Sequence, residues 1–227
     1  MRSLLIIALA TALMPAARAT VSSVSISNNG LVSGLRPGYT FVEALNFQGS
    51  TLTRSGITFT GENMVDGTGG SATASTLGGG ALATADIGSG IDGFFYTEVW
   101  NQGGTGMQIV IAGLDPAKSY FFETYHGENR ALPGTFSGDT FIDANGTVNV
   151  PAYTFGNNIA NENPPAAADR ITISAEITGV SSFTYRMPNG AGRGASMNGY
   201  QLQVIPEPGS ALLLGLAATI AVSRRRK

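Results

Sequence analysis

The chain has 227 residues, with 13 Lys and Arg against 15 Asp and Glu, one histidine and no cysteine. The missing cysteines exclude disulfides, thiolate metal sites and a thiol nucleophile, and a lone histidine excludes any two-histidine metal centre. Dense Ser, Thr and Asn, 31 glycines and the lack of long charged helix-favouring stretches favour short strands joined by turns.

At the amino terminus, Met1-Arg2-Ser3 sets one positive side chain before an uncharged run from Leu4 to Met14. Pro15 ends that run, and Ala17-Arg18-Ala19 supplies the small-x-small pattern of a processing site. This order predicts a signal peptide over residues 1–19, with Ala17 and Ala19 read by the signal peptidase and cleavage after Ala19. The alternative, a buried terminal helix, lacks support because the run has no polar face. With 1–19 and 205–227 set aside, seven basic and 14 acidic residues remain, so residues 20–204 carry a charge near −7. That balance argues against a nucleic-acid partner, since phosphate contacts need a cationic face. About 185 residues suit one domain with a sizeable core.

Strands are predicted at Tyr39 to Phe47 and Gly56 to Thr60, which are rich in β-branched and aromatic residues and bounded by glycine. Residues 61–93 hold glycine clusters and small side chains, and read as loops with at most one weak strand. Within them Gly88-Ser89-Gly90-Ile91-Asp92-Gly93 matches G-x-G-x-x-G, but no helix pattern follows, so a dinucleotide site is rejected. Further strands are expected at Phe94 to Trp100, Met107 to Ala112 and Ser119 to His126, with Gly113-Leu114-Asp115-Pro116 as a turn. Asn145-Gly146, between Thr140 to Asp143 and Thr147 to Val150, predicts a type I′ hairpin. In Ile171 to Thr178 the alternation directs Ile171, Ile173, Ala175 and Ile177 to a core and the polar set to water. Gly179 marks a reversal; Phe183, Tyr185 and Met187, then Tyr200, Leu202 and Val204, alternate in the same way. About ten strands without an amphipathic helix predict an all-β fold, an antiparallel jelly-roll β-sandwich over residues 20–204.

The remaining segment, 205–227, reads as breaker, apolar helix and basic stop. Pro206-Glu207-Pro208-Gly209 precedes an apolar run to Val222, and Arg224-Arg225-Arg226-Lys227 follows Ser223. Gly209 to Val222 would rise about 21 Å as a helix, short of the roughly 30 Å of hydrocarbon, so it is a poor permanent anchor. The four cations favour a cytoplasmic C-terminus. Motif, spacing and basic end resemble the PEP-CTERM sorting signal of Gram-negative bacteria, similar in layout to the LPXTG tail of sortase substrates. The resemblance implies insertion of the short helix in the inner membrane, recognition by an exosortase, and removal of the tail near Pro206 to Pro208. It further implies release to the cell surface or an exopolysaccharide-rich matrix. A plain tail anchor is the alternative.

Ile111-Ala112-Gly113-Leu114-Asp115-Pro116-Ala117-Lys118-Ser119-Tyr120-Phe121-Phe122-Glu123 and Ala195 to Leu202 also resemble galactose-binding-like and malectin-like jelly rolls. That resemblance implies a carbohydrate-binding or adhesive surface module in which a structural calcium is frequent; no ligand-contacting residue carries over from it.

A pyranose needs an aromatic platform beside hydrogen-bonding amides. Trp100, Asn101 and Gln102, with Tyr125 and Asn129, fit that requirement; the competing reading makes Trp100 a core plug. Asp139, Asp143 and Asn145 offer hard oxygens for calcium, with turn formation as the competing reading. His126 beside Glu123, Glu128 and Asn129 reads either as part of a polar loop cluster or as a solvated strand-end residue. No G-x-S-x-G elbow is present. The expectation is a binding protein rather than an enzyme; the rival class is a secreted glycan hydrolase using two of Glu98, Glu123 and Asp139.

Overall fold

The computed structural model describes residues 20–27, 32–47, 49–64, 67–86, 97–127, 134–155, 170–191 and 194–207. The signal segment, most of the sorting tail, the G-x-G-x-x-G match, Glu128 and Asn129 lie outside the described residues. Among those described, no helix is long and apolar enough to cross a membrane.

Alternating and β-branched runs become strands throughout. The first half holds β1 (Thr20–Ser27), β2 (Thr40–Phe47), β3 (Leu52–Arg54), β4 (Ile57–Glu62), β5 (Thr68–Gly69), β6 (Ala72–Leu77), β7 (Ala81–Asp86), β8 (Thr97–Gln102) and β9 (Gly106–Ala112). The second holds β10 (Ser119–Gly127), β11 (Gly134–Phe136), β12 (Thr140–Asp143), β13 (Gly146–Asn149), β14 (Tyr153–Phe155), β15 (Arg170–Thr178), β16 (Ser182–Pro188), β17 (Ser196–Met197) and β18 (Gly199–Ile205).

A seven-stranded sheet in the order β1-β15-β10-β18-β2-β4-β3 faces a six-stranded sheet in the order β13-β12-β16-β9-β6-β5. The smaller sheets β17-β8-β7 and β11-β14 complete the all-β sandwich. Pairing is antiparallel except for β2 with β4, which is parallel and departs from the fully antiparallel expectation.

The core lies between the two large sheets. Tyr120 and Phe122 of β10, Ile171, Ile173, Ala175 and Ile177 of β15, and Tyr200 and Leu202 of β18 meet Ile109, Ile111, Phe141, Phe183 and Tyr185 from the opposite sheet. Phe122 is the hub. Its ring stands 5.1 Å from Phe183, 5.6 Å from Tyr200, 6.0 Å from Phe141 and 6.4 Å from Tyr185, mostly edge-on or tilted, as ring quadrupoles prefer.

Two local expectations need correction, and one strand carried no expectation. The glycine-rich stretch before residue 87 forms two six-residue strands, β6 and β7, rather than loops with at most one weak strand. Ala72 and Ala74 are small because their partners across the ladder, Ile111 and Ile109, already fill the interior. Strand β1 carried only Ser, Thr and two valines with one isoleucine, and formed nonetheless by pairing along β15. The hairpin at Asn145-Gly146 is shifted by one residue: Asp143 pairs with Gly146 and the turn is centred on Ala144 and Asn145. Neither has positive φ, so it is not type I′; the two-residue turn with both centres at positive φ is Ser55-Gly56, at 48° and 77°, between β3 and β4.

Candidate functional site

The polar residues of β15 and β18 were expected to face water. Instead Thr172, Ser174, Gln201 and Gln203 are buried, the two glutamines beneath residues 32–39, which cross the outer face of the seven-stranded sheet as a strap. Side chains, rather than a backbone ladder, hold that strap. Gln201 Nε2 donates to Ser33 O at 2.9 Å, Gln203 Nε2 to Gly34 O at 3.3 Å, and Arg36 N–H to Gln203 Oε1 at 3.1 Å. Glu123 of β10 accepts from Ser33 N–H at 3.1 Å, Ser33 Oγ–H at 2.7 Å, Tyr125 Oη–H at 2.5 Å and Gln201 Nε2 at 2.9 Å. A buried carboxylate is tolerable only with such saturation. Burial first, then the Glu123 charge, pushes the Tyr125 phenol well above its ordinary range.

Where the strap leaves β1 and β15 uncovered, a polar recess of about 330 Å³ remains, lined by Ser25, Ser27, Val32, Ser33, Arg36, Glu123, Thr172 and Ser174. Ser25 and Ser174 hydroxyls hydrogen-bond at 2.8 Å across its floor. Arg36 forms one wall. Its guanidinium carbon sits 3.6 Å from the Phe121 ring centroid and 5.9 Å from that of Tyr39, and the guanidinium N–H groups donate to no protein group among the described residues. Stacking thus fixes the plane of a fork whose donors stay free.

Truncating the clamp should be costly. Glu123→Ala strands the Ser33 and Tyr125 donors, and stability is expected to fall by about 2–3 kcal/mol. A urea titration with unchanged slope reads this directly; an unchanged midpoint would mean the strap is held otherwise.

A second polar cluster is sealed inside the sandwich. Asp139 is 1 % exposed and its Oδ2 accepts from Tyr185 Oη–H at 2.6 Å and Tyr153 Oη–H at 2.7 Å, while Oδ1 has no partner among the described residues. Burial raises its pKa to about 6 against the pull of the two phenols. The His126 ring lies 5.9 Å from that of Tyr185 and is fully buried. Its Nδ1 donates to Ser196 O at 2.9 Å, and burial lowers its pKa to about 4, so the ring stays neutral. His126 is therefore neither a solvated strand-end residue nor part of a loop cluster.

The sequence-predicted site residues are scattered. Tyr125 is 0 % exposed, edge-on to Phe59 at 5.8 Å beneath β4, and cannot serve as a sugar platform. Asn101 is 3 % exposed, so its side-chain amide is closed to ligand, and its backbone N–H bonds to Ala195 O. Trp100, opposite Ala83 and Ser196, is half-buried; the Gln102 side chain lies outside the described residues. The calcium set does not converge either. Asp139 is committed to two phenols, whereas Asp143 Oδ1 accepts from the Asn145 N–H at 2.7 Å and shapes the turn. No three metal-ligating side chains cluster among the described residues. Glu123 faces the strap and Asp139 the interior, with the seven-stranded sheet between them, so they form no hydrolytic pair. The Glu98 side chain lies outside the described residues.

These observations define an all-β sandwich with a strapped outer face. No family model matches the chain, and no curated protein matches it in sequence. Among solved structures it is similar to the plant receptor-like kinase ANX2, with a TM-score of 0.51 and 10 % identity over 74 % of this chain and 49 % of that one. A second structure, the ANX2 ectodomain from Arabidopsis thaliana, gives a TM-score of 0.50 and 10 % identity over 74 % of this chain and 50 % of that one. The likeness is one of fold, and the chain spans about half the length of the solved chains it matches.

Proposed function

We propose that residues 20–204 are a carbohydrate-binding jelly-roll module, delivered to the cell surface or extracellular matrix by the C-terminal tail and released by an exosortase. The observation that carries the binding reading is the recess: hydroxyls of Ser25, Ser27, Thr172 and Ser174 face a guanidinium held flat by Phe121. Paired donors of Arg36 suit two adjacent sugar hydroxyls, and Ser and Thr can donate or accept as the ring presents itself. The volume falls at the small end of ligand sites, which run from about 300 to 1,000 Å³. The fold likeness to a receptor ectodomain supports a surface role and the malectin-like resemblance.

The address rests on the two ends of the sequence. Its support from the fold is positional: β18 stops at Ile205, and Pro206 and Glu207 are exposed beyond it, so the motif starts where packing ends and a processing enzyme can reach it. Binding is preferred to hydrolysis because the one acid in the recess, Glu123, is saturated by four donors and has no partner carboxylate there.

Retention of the protein on a column of the host's exopolysaccharide tests the site. Arg36→Ala and Ser25→Trp, both at accessible positions, are expected to cut retention at least tenfold, a loss of about 1.4 kcal/mol or more. Trp100→Ala should leave it unaltered. Loss with Trp100→Ala alone would move the site to β8.

A further inference from the structure

Both ends of the sandwich chain leave from the same end of the seven-stranded sheet. Thr20 pairs with Thr178, Thr178 with Ser119, and Ser119 with Ile205, so first and last strand residues share one transverse row. Three strand spacings put them about 14 Å apart. The apolar run of the tail begins at Gly209, four residues past Ile205, which limits its reach to about 14 Å. The apolar run at the other terminus ends at Met14, six residues before Thr20, or about 20 Å at full extension.

Among the described residues, the large hydrophobic side chains that stand exposed are Leu35 at 49 %, Phe41 at 42 % and Val42 at 43 %. All three lie beside this exit. Phe41 pairs with Gln203 and Thr40 with Val204, one or two residues from the end of β18, and Val42 is the extra residue of the bulge there. Leu35 and Phe41 line a shallow apolar groove of about 280 Å³ with Gly56, Ile57 and Thr58. A Cβ on Gly38, between them in sequence, would stand 3.6 Å from Pro206, so the departing tail passes beside the patch.

We propose that this end of the sandwich is a membrane-facing surface, on which Leu35, Phe41 and Val42 dip into the headgroup region while the terminal apolar runs are in the bilayer. The inference rests on the reading of the tail as membrane-inserting, and adds a docked orientation to it. A tether of four residues cannot hold the sandwich clear of the lipid, so whatever surrounds the exit must meet the interface. The large hydrophobic side chains exposed on the described surface are gathered there, where an interface accommodates them. Docking by this end holds Pro206 at the membrane surface and leaves the opposite end, at Gly103 to Thr105, farthest from the lipid.

The absence of cysteine permits single labelling. The full chain carrying Leu35→Cys, Phe41→Cys or, as the distant control, Thr105→Cys is coupled to an environment-sensitive fluorophore and mixed with phosphatidylethanolamine–phosphatidylglycerol vesicles holding spin-labelled lipid. Flotation with the vesicles reports insertion. Quenching at 35 and 41 at least twofold above that at 105 is the expected result, and slowed amide exchange over residues 35–42 of the unlabelled chain should accompany it. Flotation with equal quenching at all three positions would overturn the docked orientation while leaving the tail reading intact. Failure to float would overturn both, and lipid-independent, concentration-dependent shielding of 35 and 41 would assign the patch to a second copy instead.

Discussion

Replacing Phe122 by alanine should cost about 3–5 kcal/mol, enough to leave a domain of this size largely unfolded or close to it. Phe122 is 0 % exposed and is the one ring in contact range of Phe141 and Phe183 from one sheet and Tyr200 from the other. Its loss opens a cavity that neighbours fixed in two ladders cannot collapse to fill. Phe122→Leu keeps most of the buried area and should cost less than half as much. Thermal or urea unfolding of the two variants decides the matter; equal and small losses would mean that the sheets are not joined through this ring.

The buried pair Asp139 and His126 should dominate the dependence of stability on pH, with opposite signs. Asp139 titrates at about 6 in the fold against an ordinary 3.8, so between those values the unfolded chain has released a proton that the folded chain keeps. Its contribution to stability is therefore greatest below pH 3.8 and falls as pH rises to 6, by about 3 kcal/mol. His126 titrates at about 4 against an ordinary 6.5, so below 6.5 the unfolded chain takes up a proton that the fold refuses. Its contribution falls as pH drops from 6.5 to 4, by a similar amount. Relative to the parent, Asp139→Asn should gain stability as pH rises from 4 to 6, whereas His126→Gln should gain it as pH falls from 6.5 to 4. Urea midpoints at half-unit pH steps test both. A difference from the parent that stays constant with pH would mean that the two groups are not sealed from water.

Strands with a two-residue period were legible: β15, β16 and β18 stand within a residue or so of where the alternation put them, and β9, β10 and β12 within a residue or so of where composition and turn signals put them. That signal works because one face of each strand is apolar. It fails for β6 and β7, where alanine and threonine stand opposite larger partners and no residue by itself announces a core. The recess was not legible. Its lining comes from Ser25 and Ser27, from residues 32–36, from Glu123 and from 172–174, brought together by the pairing of β1, β15 and β10 and by the strap, and no spacing in the sequence encodes that juxtaposition. One local sign was available. Mid-strand on the outward faces of β15 and β18 stand Thr172, Ser174, Gln201 and Gln203, uncharged groups that can be buried once hydrogen-bonded, as the strap requires. Tyr125 misled for the opposite reason: beside Glu123 it looks like a surface residue, yet its hydroxyl serves that carboxylate under β4. The tail is read from contiguous residues, motif, apolar run and basic end, and beyond Glu207 it lies outside the described residues.

The central claim is that the chain is exported and freed from its C-terminal tail. The most direct test is the intact mass of the protein recovered separately from the medium, the matrix and the membrane fraction of its native host. The account predicts a species that starts at Thr20 and lacks everything beyond about Pro206 to Pro208, found outside the membrane. A species that retains Arg224 to Lys227 and stays with the membranes would contradict it.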